Sequence, residues 1–488
     1  MRDEKMIEAL LQQGEFREAE AICTTRIAFN FRDCAAYRTL AVVYKKTGRH
    51  SEAVVVLEKL LALRPDDPEA HKDLGNALKE QGNLDAAIHA YGAAIRLNPS
   101  FVQAHINLGL AHHEKGTLDA AISAFHEAIR LDPGKPEAYY NLGISLDEQG
   151  SLRAASSAYE RALKLRPHYP DARNNLASTL LLSGDYAAGW KEYEYRFDPA
   201  DSAQASFRAK LKTPRWNGCA FTPGARLLLI AEQGLGDTLQ FMRYCIHLRN
   251  QGVAVSLCAQ PQLTTLIQES GIDPAPLKPS QAIRVQDGHW MPLLSLPRHL
   301  GVSPENPVIT TPYIATSVDM TDKWKQIMAQ ERRPIIGIHW QGNPDTERTN
   351  LRGRSLPLEA FSPIAARTEA TLVSLQHGFG SEQLHKCSFR DRFANCQEAI
   401  STAFNFLETA AVIANCDLVV TSDSCVAHLA AGMGKTTWLL LHKVPDWRWG
   451  MDGSSSFWYP SMRVFRQSER GNWHEVLEHV TAELRRVF

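Results

Sequence analysis

The residues best suited to chemistry lie in the second half of the 488-residue chain. Gly234-Leu235-Gly236-Asp237 stands between an apolar run and a helical pattern. Glycines at such a turn let the backbone approach a ligand closely, and the free amides of the following helix favour anions. A lone Gly-x-Gly is weak evidence for a dinucleotide, and Asp237 at this place also suits an N-cap. Asp423 and Ser424 stand at a second strand-to-helix junction, where exposed amides can hold a phosphate. His428, four residues past Ser424, shares a helix face with it. A capped helix carrying a core histidine fits the same letters. Between these two places, the polar run 340–358 holds Arg348, Arg352 and Arg354 near Gly342 and Asn343. Arginines so placed can clamp a diphosphate, with plain surface charge as the alternative.

Short apolar strands must position these turns. RLLLIAE (226–232) and VAVSLCA (253–259) read as strands, each followed by a helical stretch. After an expected linking helix over 319–330 come PIIGIHWQGN (334–343), TLVSLQH (371–377), DLVVTSD (417–423) and TTWLLLH (436–442). Strands alternating with helices indicate βαβ units around parallel sheets. Two such lobes in tandem suggest the GT-B arrangement, with a ligand cleft at the strand C-terminal ends. Two unrelated Rossmann domains would give the same rhythm.

The first half is periodic. Gly48, Gly82, Gly116, Gly150 and Gly184 are spaced by 34, and so are Leu40, Leu74, Leu108, Leu142 and Leu176. Ala53, Ala87, Ala121 and Ala155 keep the register, as do Pro65, Pro99, Pro133 and Pro167. This is the tetratricopeptide period. Glycine ends the first helix of each unit, alanine allows close helix approach, and proline closes the second helix. Tyr91, Phe125, Tyr159 and Tyr193 fill the larger space between helices. Asn107, Asn141 and Asn175 recur along the expected concave face, with Asp73 one step upstream. A carboxamide both donates and accepts, so such a ladder can pair with peptide backbone. Repeat consensus alone also accounts for it.

The 44% hydrophobic and 22% charged fractions are ordinary for a soluble protein. A net charge of −1 argues against a nucleic-acid partner. No leader or apolar run of about 18 residues is present, so no membrane span is expected and a cytoplasmic location follows. Nine scattered cysteines without a CxxC pair read as free thiols, with no metal site. The expected architecture is an α-solenoid of tetratricopeptide repeats over 1–202 and a connector over 203–224. An α/β GT-B domain of two Rossmann-like lobes follows, over 225–318 and 319–488.

GLGDTLQFMRY, PLLSLP (292–297), IGIHWQGNP, RSLPL and SDSCVAHLAAGMGK together resemble bacterial proteins that join tetratricopeptide repeats to a glycosyltransferase domain. That domain is related to the ADP-heptose:lipopolysaccharide heptosyltransferases, and VPDWRWGMDGSSSFWYPSMRVFRQ (444–467) matches the tail of the repeat-bearing group. The asparagine ladder resembles that of O-GlcNAc transferase. The resemblance implies an inverting glycosyltransferase that uses a nucleotide-sugar donor and needs no metal or cofactor. It matches the catalytic base to Asp237, with Gly234 and Gly236 in its turn, and the nucleotide loop to Asp423, Ser424 and His428. It also implies donor contacts from Gln341, Gly342, Asn343, Arg354 and, more weakly, Gln376. Cys425 replaces the pattern's glycine, which leaves the donor's identity open, and Arg354 replaces its lysine. An acceptor protein, such as flagellin or another surface protein, would lie in the repeat groove against Asn107, Asn141 and Asn175. A glycan or lipopolysaccharide acceptor and a catalytically inactive scaffold are the alternatives. Pairing of convex repeat faces into a homodimer is compatible with the sequence.

Overall fold

The computed structural model describes residues 2–197, 207–216, 218, 223–349, 353–403 and 405–488. Two compact units, Met1–Leu176 and Ala177–Phe488, make up the chain.

The first unit is built of helix pairs. Cys34–Lys46 pairs with His50–Leu63, Pro68–Glu80 with Leu84–Leu97, Val102–Lys115 with Leu118–Leu131, and Pro136–Gln149 with Leu152–Leu165. The less regular pair Arg2–Gln13 and Phe16–Phe29 precedes them. Gly48, Gly82, Gly116 and Gly150 take φ values of 72°, 77°, 83° and 90°, so the spacing of 34 marks left-handed helix ends. The tightest inter-helix contact is made by another glycine of the repeat. A Cβ on Gly75, Gly109 or Gly143 would lie 2.5, 2.6 or 2.5 Å from the rings of Tyr91, Phe125 and Tyr159 respectively. All three rings are fully buried. The alanines 53, 87, 121 and 155 are buried as expected, but the missing side chain of glycine is what seats each ring.

The unit boundary falls inside the helix Pro170–Leu182, earlier than the expected Ser202. The reason lies in the next helix, Tyr186–Tyr193, whose side chains are anchored in the second unit. Trp190 Nε1 donates to the Val302 carbonyl at 2.9 Å, and Tyr193 OH donates to Gln233 Oε1 at 3.0 Å. Just beyond, Arg196 pairs with the buried Glu232 at 2.8 Å. Gly189 takes the small-residue position against Leu181, where a Cβ would come within 2.6 Å. Of the expected connector, residues 207–216, 218, 223 and 224 are described.

The described strands of the second unit form two all-parallel sheets. The first has order β2-β1-β3, with β1 Arg226–Ile230, β2 Ala254–Cys258 and β3 His289–Pro292. The second has order β5-β4-β6-β7-β8. Its strands are β4 Ile335–His339, β5 Thr371–Ser374, β6 Leu418–Ser422, β7 Thr437–Leu441 and β8 Met462–Arg466. Strands β4, β6 and β7 are buried at every position, as parallel strands covered on both faces must be. Chain order runs outward in both directions from β4 and β6, so the C-terminal ends of these two strands form the switch point where α/β sheets bind ligands.

Gly143→Ala should destabilise the repeat unit by about 1–3 kcal/mol through overpacking against Tyr159. Adding Tyr159→Ala should relieve that clash, so a double-mutant cycle read by thermal unfolding should be strongly non-additive.

Candidate active site

Gly234 opens the helix Leu235–Phe241 in extended backbone, φ −67° and ψ 168°. Asp237, at the third helical position, reaches back so that Oδ2 accepts the Gly234 N–H at 2.9 Å. Gly234 is therefore the N-cap, and Asp237 supports it from the third helical position rather than capping the helix itself. Its other oxygen, Oδ1, accepts from Arg448 Nη2. Arg448 also donates from Nη1 to Asp446 Oδ1 at 2.8 Å and from Nε to Gln240 Oε1 at 2.7 Å. Burial pushes the Asp237 carboxyl up, Arg448 opposes that shift, and Asp446 adds to it.

Gly236 brings this turn against the second motif. A Cβ there would lie 3.1 Å from His428 Cδ2 and 3.5 Å from the Cys425 Cα. The starts of the helices Leu235–Phe241 and Cys425–Gly432 thus touch, and two motifs nearly two hundred residues apart share one place.

At the switch point, Ser424 Oγ lies 3.2 Å from His339 Nδ1 and 3.4 Å from Thr421 Oγ1, which joins the ends of β4 and β6. Asp423 is buried, and burial followed by the nearby Asp446 pushes its carboxyl up to about 6. Arg354, Arg448 and the Trp449 indole oppose that shift. Burial raises the Cys425 thiol to about 11, so it stays protonated at neutral pH. His428 Nδ1 lies 2.9 Å from Tyr459 OH, and its ring stacks on Trp449 at 5.3 Å. Burial, reinforced by Arg448 and Arg243, holds His428 neutral. The nucleotide-loop residues are therefore gathered, and His428 is also a packed core histidine.

The loop after β4 is organised around Gly342. Its N–H donates to Ser355 Oγ at 2.8 Å, and a Cβ would lie 2.6 Å from Arg354 Nη2, so the guanidinium rests against bare backbone. Arg354 Nε also lies 3.3 Å from Glu347 Oε1. Asn343 caps the following turn, its Oδ1 accepting from Asp345 N at 3.0 Å. Gln341 Oε1 accepts from Gln383 Nε2 at 3.0 Å. Arg352 and the Arg348 side chain lie outside the described residues, so the expected arginine clamp is represented here by Arg354.

Two groups of expected contact residues are engaged within the protein. Gln376, expected to touch a donor, is buried with its amide fully occupied by the protein. Oε1 accepts from the amides of Trp340 and Gln341 at 3.2 and 3.0 Å, and Nε2 donates to the carbonyls of Gln341 and Phe379 at 2.9 and 2.7 Å. An amide has two donors and two acceptor lone pairs, so Gln376 shapes the loop that follows β4. The asparagine ladder is also tied into the array. Asn107 Nδ2 donates to Asn76 Oδ1 at 2.7 Å, and Asn107 Oδ1 accepts from Gln103 at 2.8 Å. Asn175 lies beside the hydroxyls of Tyr140 and Tyr159. Asn141 is half-buried.

Sequence reading missed Arg448, Asp446, Gln240, Trp449 and Tyr459. The signal available was the density of Trp and Arg in Asp446-Trp447-Arg448-Trp449, which is unusual for a loop.

Residues 72–136 and 140–205 match a tetratricopeptide repeat family, and 41–82 match a second TPR repeat family. Residues 379–440 match glycosyltransferase family 9 (heptosyltransferase), a stretch that contains β6, Asp423, Ser424 and His428. Protein FlbA of Caulobacter vibrioides is 25% identical over 339 residues, covering 61% of this chain and 52% of FlbA. The chain thus spans about half the length of that curated relative. Among solved structures, MamA is 26% identical over 33% of this chain and 94% of its own, with a TM-score of 0.32. YrrB, described as a TPR protein with an unusual peptide-binding site, is 23% identical over 34% of this chain and 87% of its own, with a TM-score of 0.31.

His339 gives this site a pH signature. Burial lowers its pKa to about 3 from an ordinary 6.5, so below pH 6.5 the unfolded chain takes up a proton that the folded chain does not. Stability supplied through His339 is therefore lost as pH falls from 6.5 towards 3, by at most about 1.4 kcal/mol per pH unit. The raised Asp423 works in the opposite sense between its ordinary value and about 6, so a difference measurement is needed. In denaturant unfolding followed by tryptophan fluorescence, the wild type should lose its advantage over His339→Asn as pH falls from 7 to 4.

Proposed function

We propose that this chain, a tetratricopeptide-repeat protein with a glycosyltransferase domain, moves a sugar from a nucleotide donor to a hydroxyl of an acceptor protein. The observation that carries the reading is the contact of Gly236, beside Asp237, with Cys425 and His428 of the loop that follows β6. The donor's nucleotide would sit over that switch point. Its diphosphate would face Arg354, the bare backbone at Gly342 and the amides that follow Ser424. Those groups would stabilise the charge that builds on the leaving diphosphate, the role a divalent cation fills in metal-dependent transferases.

Asp237 would take the acceptor's proton as the hydroxyl oxygen attacks the anomeric carbon. The bond from that carbon to the diphosphate oxygen breaks as the new one forms, and a single displacement of this kind inverts the centre. General-base assistance is worth roughly 10²–10⁴-fold in rate. Asp237 is held by one amide and one guanidinium, which orient the carboxylate and oppose the upward shift that burial causes.

The repeats support a protein acceptor, because a helical array of this length offers an extended peptide-binding groove. Among the described residues, no helix is long and apolar enough to cross a membrane. A cytoplasmic site of action on a surface protein such as flagellin before export is the version to test first. The second reading, a glycan acceptor, is favoured by the engagement of Asn107 with Asn76 and Gln103, which leaves that amide less free for a peptide.

Intact masses of flagellin and other abundant surface proteins from source cells should carry a sugar-sized increment in the wild type. Cells with Asp237→Ala should lose that increment by at least about 10²-fold. Unchanged masses alongside a shortened surface glycan would select the glycan acceptor. Unchanged masses and glycans would leave the chain as a non-catalytic scaffold.

A further inference from the structure

Arg448 is the most constrained charged side chain near Asp237. One guanidinium stands between two carboxylates, Asp237 from the turn after β1 and Asp446 from the loop after β7. Its Nε is committed to Gln240, and its plane lies over the Trp447 ring at 4.2 Å. The backbone on either side is tied as well. Arg448 N donates to Asp446 Oδ1 at 3.1 Å, and Arg448 O accepts from Trp458 Nε1 at 2.9 Å. Trp447 in turn packs edge-on against Trp190 at 5.2 Å and Trp458 at 6.2 Å. A side chain held on all these sides does not sample other rotamers, so whatever it holds is held in one place.

We infer that Arg448 is the positioning residue for Asp237: it fixes the carboxylate over the turn that Gly234 opens, while Asp446 sets how much of the guanidinium's charge Asp237 receives. This rests on the reading of Asp237 as general base. A base in a buried site must be both ionised and aimed, and an unpartnered carboxylate there would be neither. The other groups that face Asp237 are accounted for. Tyr193 donates to Gln233, the charge of Glu232 is met by Arg196, and the Gly234 amide comes from the turn itself. Arg448 is the cation that faces Asp237, and Asp446 is its competitor.

The two partners in one loop must then act in opposite directions. Removing Arg448 takes away the positive charge and raises the pH at which Asp237 titrates. Removing Asp446 leaves the guanidinium to Asp237 alone and lowers it. Full-length protein labelled at aspartate with carbon-13 reads this directly, with the Asp237 carboxyl signal assigned by its loss in Asp237→Asn. The midpoint should rise by about one pH unit or more in Arg448→Gln and fall in Asp446→Asn, with Arg448→Lys in between. In source cells, Arg448→Gln should reduce surface-protein modification roughly 10²-fold, as misplacement of a reacting group does.

A purely structural role would lower the unfolding temperature without moving the two midpoints apart. A folded Arg448→Gln protein with an unmoved Asp237 midpoint would overturn the inference. If Arg448→Gln does not fold, Asp446→Asn decides alone, because an unmoved or raised midpoint there overturns it equally. The underlying reading fails separately: modification that survives in cells carrying Asp237→Asn removes the base, whatever Arg448 does to its titration.

Discussion

A guanidinium taken out of water must have its charge matched, and the Arg448 cluster shows how much of the second unit is arranged around that requirement. Its three partners are Asp237, Asp446 and Gln240, and the first and last come from a helix more than two hundred residues earlier in the chain. The rings of Trp447, Phe241 and Trp458 close over the charge and exclude water. Removing one partner of such a buried set costs more than the set contributes, since it strands the remaining charge. The first-sheet turn and the loop after β7 are therefore bound to each other through Arg448, and the candidate site lies where they meet.

The same logic explains why the last repeat helix belongs with the sheets. A regular repeat would offer an alanine at position 189 and pack only on its neighbours. Here glycine lets the helix settle on Leu181, and the next residue, Trp190, reaches Val302 and packs edge-on against Trp447. Tyr193 then bonds Gln233, the residue directly before Gly234. The drift from the repeat pattern is thus a change of partner. A helix whose sequence reads as a worn terminal repeat braces the turn that carries Asp237.

What could be read from the sequence follows from how local each cause is. The spacing of 34 is set by left-handed glycines and by a ring under a glycine, both repeated within one unit, so the array was legible throughout. Strands β1, β2, β4, β5, β6 and β7 were legible because burial on both faces makes them unbroken apolar runs. Strand β3, His-Trp-Met-Pro, is short, begins with a polar residue and ends in proline. Strand β8, Met-Arg-Val-Phe-Arg, lies at a sheet edge and keeps two half-buried arginines. Neither gives an apolar run, and neither was found. In the site, Gly236, Asp423 and Ser424 were recoverable because a strand–turn–helix junction has a local signature. Arg448 was not, because its meaning comes from a partner 211 residues away. The protein partners of Gln376 were not legible for a related reason: a glutamine at a strand end looks the same whether its amide faces a ligand or the next loop.

Arg354 and Gly342 carry the argument one step further. Arginine and lysine, the two cations that could stand in such a loop, make different demands on their surroundings. A lysine brings a compact charge on a flexible stem and asks little of the backbone beneath it. A guanidinium is flat and needs a flat surface, which a glycine supplies when its absent Cβ leaves the space that Arg354 fills. Gly342 and Arg354 therefore work as a pair, twelve residues apart, and neither is understood alone. Asp423, which Arg354 also influences, lies close enough to Asp446 that burial and repulsion push its carboxyl up to about 6. A carboxyl that holds its proton part of the time near neutrality repels an approaching anion less than a fixed charge would, and when protonated it can donate a hydrogen bond. The acidic residues at this switch point are thereby compatible with an anionic ligand that a fully ionised cluster would turn away.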